Sequence, residues 1–214
     1  MVAKIEMKEL KVQDYMTSNP ISITGDVLFP DALDIMTKKG IGNLVVTEGR
    51  EPKGILTERE ILLYLVQTRQ IPDKPVKDVL IQLFSRITPD TSIIEAASIM
   101  ISKKARLLVF KNNDFVGIIT ASDLVRAFRK TDRNPSLEGI MSRNVVKLPY
   151  DDTIFAACKL IHKRRIGSVA VIKEAKPYGI FTERDLLVRV LQKDVDLEEK
   201  VGEHCSFPLT TALY

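Results

Sequence analysis

Gly54-Ile55-Leu56-Thr57-Glu58-Arg59-Glu60 decides the fold, because the chain writes it twice more, as Gly117-Ile-Ile-Thr-Ala-Ser-Asp123 and as Gly179-Ile-Phe-Thr-Glu-Arg-Asp185. The threonines stand at Thr57, Thr120 and Thr182, intervals of 63 and 62 residues. Self-similarity at a fixed period identifies a repeat architecture. Each copy is preceded by a matching lead segment: Val12-Gln-Asp-Tyr-Met16, Val76-Lys-Asp-Val-Leu80 and Leu137-Glu-Gly-Ile-Met141. A fourth lead segment follows at Val201-Gly-Glu-His-Cys205, and Phe207-Pro208-Leu209-Thr210 after it resembles Asn19-Pro20-Ile21-Ser22. The register is tighter between alternate copies: Thr57 to Thr182, Val12 to Leu137 and Val76 to Val201 are each 125 residues. An ancestral pair was therefore duplicated, and the architectural unit is two repeats. The expected boundaries are 10–70, 74–131 and 135–194, with a truncated fourth repeat starting at 199–214. A full fourth copy would need roughly 60 residues more by this period.

Inside repeat 1, Pro20 to Thr24 alternates as a short strand, and Asp26 offers a cap for a helix carrying Leu28, Ala32, Leu33, Ile35 and Met36 on its apolar side. Gly40 ends that helix. Asn43 to Thr47 reads as a buried strand, Glu48-Gly49-Arg50-Glu51 as a hairpin turn and Gly54 to Thr57 as the partner strand. A second helix runs from Glu58 to about Gln67, with Ile61, Leu62, Leu65 and Val66 inward. Repeats 2 and 3 repeat the pattern, with strands at Leu107–Phe110 and Val169–Ile172. Their first helices carry Ile93, Ala96, Ala97 and Met100, and Ile154, Ala157, Cys158 and Ile161. The predicted fold class is α+β: strand-helix-strand-strand-helix modules, each a small three-stranded sheet packed by two helices. One module leaves a sheet face unburied and is marginal alone. Pairing repeats sheet to sheet covers that face and opens clefts where ligands sit.

Composition narrows the function. The chain is 45% hydrophobic and 28% charged, enough to bury an ordinary core. Apolar runs such as Ile61–Val66 are too short to span a bilayer, and the charged start MVAKIEMKEL is no signal peptide, so a cytoplasmic protein without membrane contact is expected. The two cysteines lack CxxC spacing, and Cys158 on a helix's apolar side reads as a buried free thiol. Two histidines, His162 and His204, leave little material for metal binding or acid-base catalysis. With no GxSxG, Walker loop or Cys/His constellation, an enzyme is not expected. The net charge of +4 is spread out except for Lys103-Lys104-Ala105-Arg106 and Lys163-Arg164-Arg165. Neither cluster has interleaved aromatics, so local anion binding is more economical than nucleic acid.

The element order, the period and the ending Gly-h-h-Thr-x-x-Asp-Leu together resemble the CBS domain, in the tandem pairs called Bateman modules, from about Lys11 to Asp194. The resemblance implies a non-catalytic regulatory sensor of AMP, ADP, ATP or S-adenosylmethionine that transmits ligand binding to an unidentified partner protein, with no other cofactor required. It implies that Thr120 and Thr182 meet the phosphate or ribose and that Asp123 and Asp185 accept the ribose hydroxyls. Ile87, Val146, Ala105 and Ile166 would line the base, and Arg106, Arg165 and Arg184 would meet phosphate. The chemistry is sensible in itself, since a short carboxylate accepts two donors from a cis-diol and arginine presents a planar fork to an anion.

Thr-x-x-Asp and Thr-x-x-Glu are also the capping-box pattern. Two readings therefore stand beside each other: ligand contact at the Asp copies, and a plain helix cap at Glu60, whose extra methylene displaces its carboxylate. A second function is equally concrete, an assembly module with vestigial nucleotide sites. Repeat 3 has no complete partner in the sequence, so pairing with its counterpart in a second copy would give a homodimer.

Overall fold

The computed structural model describes residues 6, 8–79, 83–103 and 105–211; Leu80 of the second lead segment and Lys104 of the first basic cluster lie outside them. Repeat 1 contains β1 (Thr17–Ser18), β2 (Ser22–Thr24), α1 (Phe29–Lys39), β3 (Asn43–Glu48), β4 (Glu51–Thr57) and α2 (Glu58–Thr68). Repeat 2 contains β5 (Phe84–Ile87), α3 (Ile93–Lys103), β6 (Arg106–Lys111), β7 (Asp114–Ile119) and α4 (Ala121–Phe128). Then come α5 (Leu137–Ile140), β8 (Lys147–Pro149), α6 (Ile154–Arg164), β9 (Ser168–Lys173), β10 (Lys176–Thr182), α7 (Glu183–Asp185) and α8 (Val201–His204). Past Asp185 the helical path widens into a π turn over Leu186–Val190 and tightens into a 3-10 turn over Leu191–Lys193. The order strand-helix-strand-strand-helix holds in all three repeats.

The chain forms two compact units. The first takes Met1–Asp26, Leu44–Leu56 and Ile81–Pro135; the second takes Val27–Asn43, Thr57–Leu80 and Ser136–Tyr214. Repeat 1 is thus divided, most of its sheet in one unit and both its helices in the other.

In the first unit, the sheet of repeat 1 runs β2-β3-β4 and that of repeat 2 runs β1-β7-β6-β5. In both repeats the first strand lies parallel to the second, and in repeat 2 the hairpin strands are antiparallel, joined by Asn112-Asn113 at positive φ. Asparagine tolerates that left-handed backbone, which matches the right-handed strand twist. Val45 and Ile55 of repeat 1 pack against Leu108, Phe110 and Ile118 of repeat 2, so these two repeats do meet sheet to sheet. Burial of that paired face removes from water the apolar surface a lone module would expose.

The second unit is built on helices. Leu62 and Leu65 of α2 share one core with Ala157, Cys158 and Ile161 of α6 and with Leu186 and Val190. The sheet beside it runs β10-β9-β8. Repeats 1 and 3 therefore meet through their helices. Cys158 is fully buried there, and burial pushes its thiol up to about 12, as suits an inert core cysteine.

The lead segments are exchanged between repeats. In the first unit the amide of Ile93 at the start of α3 donates to the Leu10 carbonyl at 2.9 Å, and β1 extends the β7 edge. In the second unit the amides of Phe29 and Ile154, at the starts of α1 and α6, donate to the carbonyls of Lys74 at 2.8 Å and Glu199 at 3.0 Å. Helix N-termini leave amides without intrahelical partners, and the residue two before each incoming lead segment supplies the acceptor. This corrects the expectation at Asp26: α1 begins at Phe29 with Leu28 at the cap, and the chain segment before Val76 closes it. Val12, Val76 and Val201 are all fully buried by this docking. Leu137 of the third lead segment is 46% exposed and Ile140 64%.

The motif glycine follows from the same exchange. A Cβ on Gly117 would stand 2.9 Å from the Thr17 carbonyl, and one on Gly179 would stand 2.7 Å from the Ser206 carbonyl. No side chain larger than hydrogen fits where another backbone crosses that close.

Candidate ligand site

Each motif threonine stands in the cap position between a strand and the helix that follows. Thr57, Thr120 and Thr182 all have extended backbone at the cap position. In repeat 3 the Thr182 amide donates to Oδ2 of Asp185 at 2.9 Å, and the Asp185 amide donates back to the Thr182 hydroxyl at 3.1 Å, completing a capping box. In repeat 2 the Thr120 amide donates to Oδ2 of Asp123 at 2.8 Å. In repeat 1 the Thr57 hydroxyl donates to the Glu60 carboxylate, and Thr57 accepts no hydrogen bond from the helix amides. In the aspartate copies the carboxylate takes the cap amide. All three carboxylates also take the hydroxyl of their threonine.

The two aspartates are buried and differ in how fully they are occupied. Asp123 takes the Thr120 amide and hydroxyl on Oδ2, both at 2.8 Å, and Arg126 on Oδ1 at 2.9 Å. Asp185 takes the Thr182 amide at 2.9 Å and hydroxyl at 2.6 Å on Oδ2. Its Oδ1 takes Arg189 at 2.9 Å and the Ser206 hydroxyl at 2.8 Å. A carboxylate offers about four acceptor positions. Among the described residues Asp185 is therefore saturated, while Asp123 holds one donor fewer.

Around Thr120, the β6–β7 ladder pairs Leu107 with Ile119, which brings Arg106 and Ala105 to the same end of the sheet as Thr120. The Nε atom of Arg106 is buried there without a hydrogen-bond partner among the described residues. Buried donors are nearly always paired, so this one calls for an acceptor. Ile87 is not brought there. The parallel β5–β6 register sets Phe84 against Arg106 and Ile87 against Val109, so Ile87 lies at the opposite end of its strand. It is 6% exposed in the core and lines a different cavity of about 310 Å³ with Arg86, Thr88, Phe110, Asn112 and Asn113. By the spacing of the lead segments, the repeat 2 counterpart of Val146 is Ser85, a residue the sequence reading did not single out.

Around Thr182, β9 pairs Ser168 with Thr182, and the Ala170 amide donates to the Val146 carbonyl at 3.0 Å. Val146 and Ile166 are half-buried against the core beside this end. Arg165 is exposed, at positive φ, where α6 stops. Arg184 is engaged: its Nη2 donates to the Gly40 carbonyl at 2.6 Å and its Nη1 faces Glu58 at 3.2 Å. Arg59 meets Glu183 at 2.9 Å. The Thr-Glu-Arg tripeptides of repeats 1 and 3 thus form reciprocal ion pairs, each arginine on the other's glutamate. This pairing is the structural use of Arg184, which the sequence reading set against phosphate. Repeat 2, with Thr120-Ala121-Ser122, has no charges at those positions.

Two larger cavities lie in the second unit. One of about 700 Å³ is lined by Leu65, Arg69, Leu191 and the segment Asp194–Glu198, and one of about 550 Å³ by Lys147–Asp151 and Ile172–Ala175. Neither is lined by a motif threonine or aspartate. No helix among the described residues is long and apolar enough to cross a membrane.

The family described as the CBS domain matches this chain at residues 12–67, 70–130 and 137–192. The chain belongs to that family, as three tandem copies. Among relatives, the uncharacterized protein MJ1404 of Methanocaldococcus jannaschii is 28% identical over 189 residues, covering 85% of this chain and 44% of the relative. An uncharacterized 33.4 kDa protein in a ribosomal RNA operon of Thermofilum pendens is 28% identical over 175 residues, 75% of this chain and 58% of the relative. The matches thus span about half the length of these relatives. Among solved structures, MJ1225 of M. jannaschii, described as a proposed archaeal homolog of g-AMPK, superposes with a TM-score of 0.78 at 16% identity. That match covers 95% of this chain and 84% of MJ1225.

Proposed function

We propose that the chain is a non-catalytic regulatory module that binds an adenosine-containing ligand, AMP, ADP, ATP or S-adenosylmethionine, at the motif ends of its CBS repeats. On this reading it passes the ligand state to a partner protein. The observation that carries the reading is the repeat 2 site: a buried aspartate with acceptor capacity left, at the same end of its sheet as an arginine whose buried Nε has no hydrogen-bond partner among the described residues. A ribose hydroxyl would complete the first and a phosphate oxygen the second. Thr120, Asp123, Arg106 and Ala105 form this site. Thr182, Asp185, Ile166 and Val146 form its counterpart, with Arg165 and Arg184 at its margin. CBSX2, solved in complex with AMP, shares the fold over 58% of this chain at a TM-score of 0.50 and 20% identity, which makes AMP the first ligand to try.

Isothermal titration with AMP, ATP and S-adenosylmethionine tests the reading. Asp123→Ala should weaken binding about tenfold, the loss of one charge-assisted hydrogen bond. Glu60→Ala should lower the unfolding midpoint and leave affinity unchanged. No heat and no thermal shift with any of the three ligands would sink the proposal.

The apolar exposure at the third lead segment favours a second reading, assembly. Leu137, Ile140 and Val145 are 46%, 64% and 55% exposed. Counterparts of the paired sheet face, Ala170, Ile172 and Ile180, are only half-buried in repeat 3. A homodimer through repeat 3 would cover them, and a strictly monomeric mass in light scattering would exclude it.

A further inference from the structure

We propose that the docked fourth lead segment is itself part of the repeat 3 ligand site, so that ligand at Asp185 and docking of residues 199–206 compete for one carboxylate. This rests on the ligand reading above and adds what that ligand would move.

Residues 199–206 are held by backbone pairing. Ser206 and Ile180 exchange hydrogen bonds of 2.8 and 3.1 Å, and the Val201 amide donates to the Asp152 carbonyl at 2.8 Å. One side-chain contact then reaches the motif: the Ser206 hydroxyl donates to Oδ1 of Asp185 at 2.8 Å. Arg189 closes a triangle, bonding Asp185 Oδ1 at 2.9 Å and the Ser206 hydroxyl oxygen at 3.4 Å. With Oδ2 already taken by Thr182, the carboxylate has no acceptor position left. A diol presented to Asp185 can be accepted only if Ser206, Arg189 or the capping bonds give way. Ser206 is the one donor of the four that lies outside the stretch 182–190. Its hydroxyl turns to water once Ser206 parts from Ile180, whereas the Thr182 bonds hold the helix start.

Repeat 2 supplies an internal comparison. Arg126 there bonds Asp123 at 2.9 Å and the Tyr15 carbonyl of the first lead segment at 2.5 Å, so an arginine again links motif aspartate to docked segment. Asp123 receives one donor fewer, which leaves room for a ligand with residues 12–16 in place. The two sites are therefore inequivalent: repeat 2 takes ligand without rearrangement, and repeat 3 takes it at the expense of the 199–206 contact. A ligand biases a two-state element only through such differential contacts.

The test uses the full chain, wild type and Ser206→Ala, which keeps the backbone pairing. AMP, then ATP and S-adenosylmethionine, are titrated calorimetrically, and amide hydrogen exchange of residues 199–206 is followed with and without saturating ligand. Ser206→Ala is expected to bind about tenfold tighter at one site, or at one site more than wild type, because a charge-assisted bond no longer has to be displaced. In wild type, ligand should speed exchange at the Ser206 amide while the Thr17–Ser18 segment stays protected. Binding with unchanged affinity in Ser206→Ala and unchanged or slowed exchange at 199–206 overturns the competition and leaves the ligand reading standing. No binding by either protein overturns both.

Discussion

Asp123 and Asp185 occupy equivalent places in the repeat, yet one carries three donors and the other four, and the difference comes from a serine 21 residues beyond the motif. Such contacts set what a carboxylate can still bind, and no local pattern reveals them. Thr-x-x-Asp was legible as a site or a cap, and the structure makes it a cap whose remaining capacity decides the rest. Arg106 was legible as a basic neighbour, while its unpartnered Nε was not. Ile87 stands at the far end of its strand from Thr120, a placement fixed by the β5–β6 register and not by any pattern within β5. At Cys158 the apolar helix side was sufficient to foresee a buried thiol. Its raised pKa of about 12, against an ordinary value near 9.0, gives a signed pH effect. The unfolded thiol ionises first, so this residue leaves stability unchanged below about pH 9 and lowers it as pH climbs toward 12. A thiol reagent at neutral pH should leave Cys158 unmodified until denaturant is added, as intact mass spectrometry would read; rapid labelling of the native protein would contradict its burial.

The three hairpins show how far elements follow from local chemistry. Repeat 1 turns on Gly49 and repeat 2 on Asn112-Asn113, residues suited to positive φ, but repeat 3 places Glu174 and Ala175 there at φ 50 and 61. A side chain in the left-handed region costs about 1 kcal/mol or more. Replacing Glu174-Ala175 with Asn-Gly should therefore stabilise the chain by about 1 kcal/mol in urea unfolding, with no change in ligand affinity. A midpoint that falls would mean the turn is held by contacts beyond its backbone. Strands, helices and turns were readable because each rests on residues near in sequence. Helix starts were less so. Asp26 looked like a cap, but α1 takes its acceptor from Lys74, 45 residues away from Phe29. The lead segments were visible as repeated text without any sign that they serve a different repeat.

At the scale of the molecule, repeats and compact units do not coincide. Leu62 and Leu65 of repeat 1 complete the core that repeat 3 builds from Ala157, Cys158, Ile161 and Val190. A fragment of residues 136–214 loses both leucines, and deleting one buried leucine side chain costs about 2–5 kcal/mol. Since domains hold only about 5–15 kcal/mol in total, that fragment is expected to bind a hydrophobic dye and melt without cooperativity. A sharp thermal transition in the isolated fragment would show that repeat 3 stands alone. The sequence by itself determined the period, the order of elements, the 125-residue register and the family, because these are properties of local patterns and of their recurrence along the chain. Only the tertiary structure decided which repeat lends its lead segment to which, why alternate repeats share Thr-Glu-Arg, and which aspartate is saturated. Those outcomes depend on donors and acceptors tens to over a hundred residues apart, whose distances are set by packing and not by spacing.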